Sequence, residues 1–354
     1  MGALDGKRVL VTGGTGSLGK VLVRRLLAGE LGQPSKIVVF SRDEAKQHEM
    51  RMEYKHKRAA TDEVIYHTFE ELLEFRIGDV RDFHAVANAM HGVQVVFNAA
   101  ALKQVPTCEY FPFEAVMTNV AGPENIVRAV QEHQLPVELV VGISTDKACK
   151  PVNVMGMTKA IQERVFIQAN MRCPETRFVC VRYGNVLASR GSVIPLFHDQ
   201  IRNGGPVTIT TPDMTRFLLS LDQAVDTVFA AVKGADHGET YIPRVPSARV
   251  VDIAEVLIGG RPIRTAITGI RPGEKVHEIL VSEEECHRTT ERGQYYVILP
   301  ILPELRPQAM AGEPLKEEYS SAQNVLNRGA LKDLLHQHHL MPEDVPVTHE
   351  ELLR

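Results

Sequence analysis

Lys7-Arg8-Val9-Leu10-Val11-Thr12-Gly13-Gly14-Thr15-Gly16-Ser17-Leu18-Gly19 is the stretch on which the fold turns. Its first six residues read as a short buried strand. A G-x-x-G-x-x-G spacing follows, and Lys20 to Leu27 carries a helical pattern. Strand, glycine turn and helix in that order are the context that makes a glycine fingerprint meaningful. Glycine lets the backbone turn sharply and approach a pyrophosphate, whose charge meets the helix N-terminus. The stretch predicts an α/β chain with an open, doubly wound parallel sheet. It marks Gly13, Thr15, Gly16, Ser17, Leu18 and Gly19 as dinucleotide contacts.

Moving outward, Lys36 to Phe40 is the second strand and ends in Ser41-Arg42-Asp43-Glu44. An acidic residue at a strand tip favours the free ribose hydroxyl of NAD, whereas Arg42 with Lys46 a turn later can hold a 2′-phosphate. The reading is NADP, with NAD as the alternative and Ser41 beside the ribose. Residues 51–71 are mixed helix and loop. A third strand, Phe75 to Ile77, leads into Gly78-Asp79-Val80-Arg81-Asp82, where Asp82 suits a helix N-cap. Val93 to Phe97 is the fourth strand and opens into Asn98-Ala99-Ala100-Ala101-Leu102-Lys103. Small side chains at Ala99, Ala100 and Ala101 permit close approach to a cofactor, and Lys103 emerges where a diphosphate or sugar can lie. A helix over Glu114–Gln131 carries Asn119, read either as a bond to backbone near the site or as a structural amide.

The chemistry concentrates in Ser144-Thr145-Asp146-Lys147-Ala148-Cys149-Lys150-Pro151-Val152-Asn153-Val154-Met155-Gly156-Met157-Thr158-Lys159, directly after the apolar run Val137–Ile143. Thr145, Asp146 and Lys147 emerge together at a strand's C-terminal end, where open parallel sheets bind ligands. Met155 and Lys159 are four apart and share a helix face. A thioether carries no transferable proton, so Met155 is no acid or base. Asp146 and Lys147 are the adjacent acid and base that a dehydration needs.

A strand-end Ser or Thr, then Tyr and Lys at i and i+4, is the layout of short-chain dehydrogenases/reductases; this chain resembles it with Met155 in the tyrosine position. S-T-D-K followed by N-V-M-G-x-T-K resembles the nucleotide-sugar 4,6-dehydratases that act on UDP-N-acetylglucosamine, in the subgroup with methionine for tyrosine. The resemblance implies a Rossmann core over 1–185 and a smaller α/β substrate-binding domain over 186–300, some of whose segments return to the core. Residues 301–354 are an extension of unclear role. It further implies that Asp79 and Val80 contact the adenine, and that Lys159 binds the nicotinamide ribose. R-Y-G-N-V (182–186) is the exit from the core, with Asn185 on the sugar-nucleotide phosphate. Arg190, Val193, Thr208 and Arg216 fall in a run resembling the UDP-binding segment, Arg271 would hold the diphosphate, and Glu274 the uridine ribose.

The implied reaction oxidises carbon 4 of the hexose, eliminates water across carbons 5 and 6, and returns hydride to carbon 6. Lys147 would be the carbon 5 base, which requires a lowered pKa, and Asp146 the acid, which requires a raised one. Thr145 would orient the sugar. A UDP-sugar 4-epimerase is the second reading, and a non-catalytic NAD(P)-binding protein the third.

Composition sets the outer bounds. A chain of 354 residues with 44% hydrophobic and 24% charged residues is long enough for one large α/β domain and a smaller one. A net charge of −4 argues against nucleic-acid binding. Five cysteines without a C-x-x-C pair suggest reduced thiols, no metal site and a cytoplasmic setting. No leader-like stretch precedes the first strand, and no apolar run is long enough for membrane insertion. The closing histidines, His336, His338 and His339, read as a solvated tail. Apolar positions on the helix reaching Asn170 suit packing against a second subunit, so a homo-oligomer is expected.

Overall fold

The computed structural model describes residues 2–57, 69–187, 192–307 and 312–344. The chain divides into two compact units. The first comprises Met1–Tyr183, Leu221–Arg244 and Leu280–Glu318, and the second Gly184–Ser220, Val245–Ile279 and Tyr319–Arg354.

In the first unit the elements alternate: β1 (Arg8–Thr12), α1 (Ser17–Leu27), β2 (Lys36–Ser41), α2 (Glu44–Lys57), β3 (Leu73–Ile77), α3 (Phe83–Ala89) and β4 (Val95–Asn98). Then come α4 (Val105–Tyr110), α5 (Pro112–Val116), α6 (Gly122–His133), β5 (Leu139–Thr145), α7 (Val154–Arg172) and β6 (Arg177–Tyr183). After the excursion into the second unit the chain adds α9 (Leu221–Gly234), β9 (Thr240–Pro243), α11 (Glu283–Cys286), β12 (Thr289–Arg292) and β13 (Tyr295–Ile298). Among the described residues these build a nine-stranded sheet, ordered β12-β13-β9-β6-β5-β4-β1-β2-β3. The run β3-β2-β1-β4-β5-β6 is parallel throughout, and β13 pairs antiparallel with both β9 and β12. That is the doubly wound order, whose switch point lies between β1 and β4.

Central strands covered on both faces read as unbroken apolar runs. β2 and β5 accordingly bury all but a terminal residue each. On one face Leu10, Phe40, Val96, Val140 and Phe178 pack against Val86 of α3, Ile126 and Val130 of α6, and Phe166 of α7. On the opposite face α1 packs against α9.

The helix expected over Glu114–Gln131 is interrupted. Met117–Ala121 forms a π turn between α5 and α6. Pro123 explains it: without an N–H, it cannot bond the carbonyl of Asn119, and Gly122 N instead reaches back to Met117 O.

The second unit holds α8 (Val193–Arg202), β7 (Val207–Ile209), β8 (Thr215–Phe217), β10 (Ser247–Arg249), α10 (Val250–Ile258), β11 (Thr265–Ile267) and α12 (Arg328–Gln337). β7 pairs parallel with β11, and β8 antiparallel with β10. Its core joins Phe197 and Ile201 of α8, Ile253 and Leu257 of α10, and Leu331 and Leu335 of α12. The helix near the end of the chain thus joins a core through its leucines, while His336 and His339 are exposed, as expected of them.

No helix among the described residues is long and apolar enough to cross a membrane. Nor do they contain a group of three or more His, Cys, Asp or Glu side chains able to hold a metal ion.

Leu335 is fully buried, so Leu335→Ala leaves a cavity and should cost about 2–5 kcal/mol. The expected result is a lower denaturant midpoint; an unchanged midpoint would remove α12 from the core.

Candidate functional site

β1 delivers the glycine turn to the C-terminal edge of the sheet. Gly13 has φ +65°, and a Cβ there would stand 2.8 Å from the backbone of Ala100. The turn is pressed against the small residues after β4, and no other residue type fits. Thr12 ties the two segments: its hydroxyl donates to Asn98 Oδ1 at 2.8 Å and accepts from Ala100 N at 3.2 Å. α1 begins at Ser17, so Gly16 is its N-cap and Gly19 lies inside the helix. The cap has no side-chain bond and the first turn no acidic residue. A bare, positively polarised helix start behind a glycine cradle fits a pyrophosphate.

Around this cradle the strand tips carry the ribose and adenine candidates. Ser41, at the end of β2, takes a bond from Gln47 Nε2, which also reaches Arg76 O. Asp79, after β3, is clasped by Arg81 through Nε at 2.9 Å and Nη2 at 2.7 Å. Burial pushes the Asp79 carboxyl up, but these bonds and charges outweigh it and hold it below the ordinary value. Arg42 is half-exposed and 3.6 Å from Asp79, so the two meet. Lys46 turns to Asp43, three residues back. Val80 is buried, and its carbonyl accepts from Asn125 at 2.9 Å. Ala101 and Lys103 are exposed.

Asn119 bonds to backbone near the site, one of the two readings of it, and this leaves little of it for the cofactor contact also expected there. Its Oδ1 accepts from Leu102 N at 2.8 Å, and its Nδ2 donates to Leu102 O at 2.9 Å and Thr158 Oγ1 at 3.0 Å. Both amide hydrogens are spent on protein, so Asn119 holds the post-β4 segment against α7 and has none to offer a cofactor.

β5 carries the chemical groups. Asp146 is fully buried. Its Oδ1 accepts from Thr145 Oγ1 at 2.9 Å and from Lys147 Nζ at 3.0 Å. Asp146–Ala148 is a 3-10 turn capped by Thr145, which accepts from Lys147 N. α7 starts behind it, with Asn153 as N-cap bonding Gly156 N at 2.8 Å. Gly156 was passed over in the sequence, yet a Cβ there would lie 2.2 Å from Lys147 O. Its missing side chain lets α7 abut the acid–base turn.

Met155, in the tyrosine position, has apolar surroundings that suit a side chain with no transferable proton. It is buried in an apolar cluster with Cys108 and Ala115, against which Leu102, Val105 and Val154 pack. The tyrosine position therefore has a packing role here and no chemical one. Lys159, one turn on, is buried and donates to Gln162 Oε1 at 2.7 Å. Burial pulls its pKa down to about 8, against the negative charge of Glu163.

The remaining candidates belong to the second unit. Asn185 lies just past β6, with a buried Oδ1 that no donor among the described residues meets. Arg190 lies outside the described residues. Val193 is the first residue of α8. Thr208, on β7, is held by Gln200, which accepts from its N at 3.0 Å and donates to its Oγ1 at 2.7 Å. Arg216, on β8, is buried and donates to Thr215 O and Val276 O at 2.7 and 3.2 Å. Arg271 is exposed, and Glu274 accepts from its backbone N at 3.3 Å, closing the Pro272-Gly273 turn.

Three further residues went unread: Glu163, Arg182 and Glu285 form a buried ionic set behind Ser144 and Cys149. Their only signal is weak: Glu163 sits one turn after Lys159, and Arg182 opens R-Y-G-N.

Residues 9–300 match the family model described as polysaccharide biosynthesis protein. A UDP-glucose 4-epimerase of Rickettsia typhi is 44% identical over 297 residues, 82% of this chain and 82% of that protein. An uncharacterized membrane protein of Methanocaldococcus jannaschii is 44% identical over 305 residues, 83% of this chain and 86% of that protein. Among solved structures, Pen from Bacillus thuringiensis aligns with a TM-score of 0.84 at 34% identity, over 96% of this chain and 99% of that one. DesIV, a dTDP-glucose 4,6-dehydratase from Streptomyces venezuelae, shares the fold with a TM-score of 0.62 at 21% identity, over 76% of this chain and 86% of that one. With its glycine cradle, its sheet order and a family match over most of its length, the chain belongs to the polysaccharide biosynthesis protein family.

Proposed function

We propose that the chain is a nucleotide-sugar 4,6-dehydratase acting on UDP-N-acetylglucosamine with NADP, or NAD, as cofactor. The observation that carries this reading is the fully buried Asp146 carboxylate bonded to Lys147 Nζ at 3.0 Å, beside a tyrosine position given over to packing. Elimination of water needs an acid and a base together, and a simple carbon 4 epimerisation needs no such second pair.

A nicotinamide dinucleotide bound at the glycine cradle supplies the hydride acceptor for carbon 4 and the hydride donor for carbon 6. The chain's own residues move the protons. Asp146 accepts the carbon 4 hydroxyl proton, a task Met155 cannot do. Once neutral, Asp146 no longer stabilises the Lys147 ammonium, and Lys147, only partly buried, releases its proton to solvent. Lys147 then takes the carbon 5 proton, while Asp146 gives its proton to the carbon 6 hydroxyl, which leaves as water. Lys147 returns its proton to carbon 5, and one proton from solvent restores the ion pair. The balance over a turnover is loss of one water. Thr145 orients the hexose, and Lys159 meets the nicotinamide ribose. Asn185, Val193, Thr208, Arg216, Arg271 and Glu274 are proposed for the UDP moiety.

The names of the Rickettsia relatives favour a second reading, a UDP-sugar 4-epimerase. Mass spectrometry after incubation with UDP-N-acetylglucosamine separates the two. The expected product has lost one water, and Lys147→Ala should reduce its formation at least ~100-fold. A product of unchanged mass would establish the epimerase instead.

A homo-oligomer belongs to this proposal, with a second copy of the chain as partner. Its support is the exposed apolar set Tyr110, Phe111 and Phe113 at α4 and α5, with Met157 and Ile161 on α7. The double change Phe113→Asp and Ile161→Asp should lower the sedimenting mass; a wild-type chain that sediments as one copy would end the idea.

Lys159 generates a pH prediction. Below about pH 8 it is charged in both folded and unfolded chains, and the folded state bears the full desolvation penalty. Between about 8 and the ordinary lysine value of 10.5, only the unfolded chain keeps the proton, so the penalty fades as pH rises. Lys159→Met should therefore stabilise the chain by about 1–3 kcal/mol at pH 7, and this gain should shrink toward pH 10. Thermal melts of both forms across that range are the check, and a gain that grows with pH would contradict it.

A further inference from the structure

We propose that Arg182, Glu163 and Glu285 form a positioning cluster that holds the acid–base turn Thr145–Lys147 from both ends. Arg182 is the register partner of Ser144 across β5 and β6. Its guanidinium uses all five N–H groups. Nε and Nη2 reach Glu163 at 3.0 and 2.6 Å, Nη1 and Nη2 reach Glu285 at 2.8 and 3.0 Å, and Nη1 also reaches Leu280 O at 2.8 Å. The two carboxylates then face the turn. Glu163 Oε1 accepts from Ser144 Oγ at 2.5 Å, one residue before Thr145. Glu285 Oε2 accepts from Cys149 Sγ at 3.7 Å, two residues after Lys147. Glu285 is itself fixed by Arg288 Nη2 at 3.3 Å and Ser282 N at 3.2 Å. Burial pushes its carboxyl up, but the Arg182 charge and these bonds leave it at about 2.

All four charged residues are less than a tenth exposed. Two cations and two anions buried at this depth gain little stability over apolar side chains of the same volume. What a fully bonded cluster supplies instead is geometry: two rigid carboxylates, one guanidinium, and a turn whose flanking side chains, Ser144 and Cys149, are bonded to them. Placement of reacting groups is sensitive to displacements of about 1 Å, which can cost ~100-fold in rate. These are positioning residues: they act through Ser144 and Cys149 and touch no substrate. The role in turnover rests on the dehydratase reading above; the role in holding the turn does not.

Removing a member of the cluster would leave an unpaired buried charge and unfold the chain, so the test cuts the two tethers. Ser144→Ala with Cys149→Ala leaves every ion pair intact. Two readouts are taken on the full chain. Hydrogen exchange follows the amides of Lys147 and Cys149, which bond within the turn at 3.4 and 3.2 Å. Steady-state kinetics follow water loss from UDP-N-acetylglucosamine. We expect exchange at these amides to rise ~10-fold or more. kcat should fall ~10-fold or more with KM within about twofold and an unshifted melting temperature. Restoring serine at position 149 in that background (Cys149→Ser with Ser144→Ala) returns a hydroxyl donor and should recover part of both. Unchanged exchange overturns the inference, and so does faster exchange with undiminished kcat. If wild-type chain releases no water while exchange responds as expected, the dehydratase reading fails and the tethering stands.

Discussion

A carboxylate withdrawn from water survives only if charge and hydrogen bonds meet it, and Asp146 is fully withdrawn. Its neighbours in sequence supply both. β5 ends at Thr145, and the 3-10 turn that follows brings Thr145 Oγ1 and Lys147 Nζ to the same oxygen of Asp146. A longer loop would need partners from elsewhere in the fold, and each would bring its own motion. With hydroxyl, carboxylate and amine consecutive, the relative geometry of the group is set by a few backbone torsions. The remaining requirement is that the turn itself not move.

The surrounding elements meet that requirement. α7 comes within a missing side chain of Lys147 O because position 156 is glycine. Asn119 locks Leu102 to Thr158, joining the segment after β4 to the same helix. The π turn that carries Asn119 lies where Pro123 withholds a helical hydrogen bond, a local weakness that re-aims one side chain. Met155 fits this picture. Where a tyrosine would present a hydroxyl, a flexible apolar side chain fills the space between Cys108 and Ala115. The absence of a phenol thus leaves no void.

Much of this was legible from the sequence because it is local. The glycine cradle, the order of the first six strands and the Thr145-Asp146-Lys147 group depend on spacing within a dozen residues, and spacing is what a sequence displays. For Asn119 the sequence left two readings open for the opposite reason: its partners are 17 and 39 residues away, and nothing near it announces them. That Met155 carries no proton is plain from its type, but its apolar neighbours Cys108 and Ala115 come from two other helices, α4 and α5. The break in the helix before Gly122 was readable in principle, since Pro123 stands in the sequence. It was missed because proline suits the first turn of a helix equally well. Lys46 is a local case too: the aspartate it pairs with stands three residues back in the sequence.

The buried ionic set was least legible, and the reason is energetic as well as topological. Glu163 and Glu285 are 19 and 103 residues from Arg182, so no window of sequence contains them. A sequence reader also assigns charged residues to the surface, a good rule because burying them is unfavourable. That same unfavourable energy makes the exception informative. Apolar side chains would fill the space beneath β5 and β6 at least as stably, but they cannot direct two bonds at Ser144 and Cys149. Hydrogen bonds have direction where apolar contacts do not. A site that must hold three consecutive side chains to fractions of an ångström gains more from direction than from depth of burial.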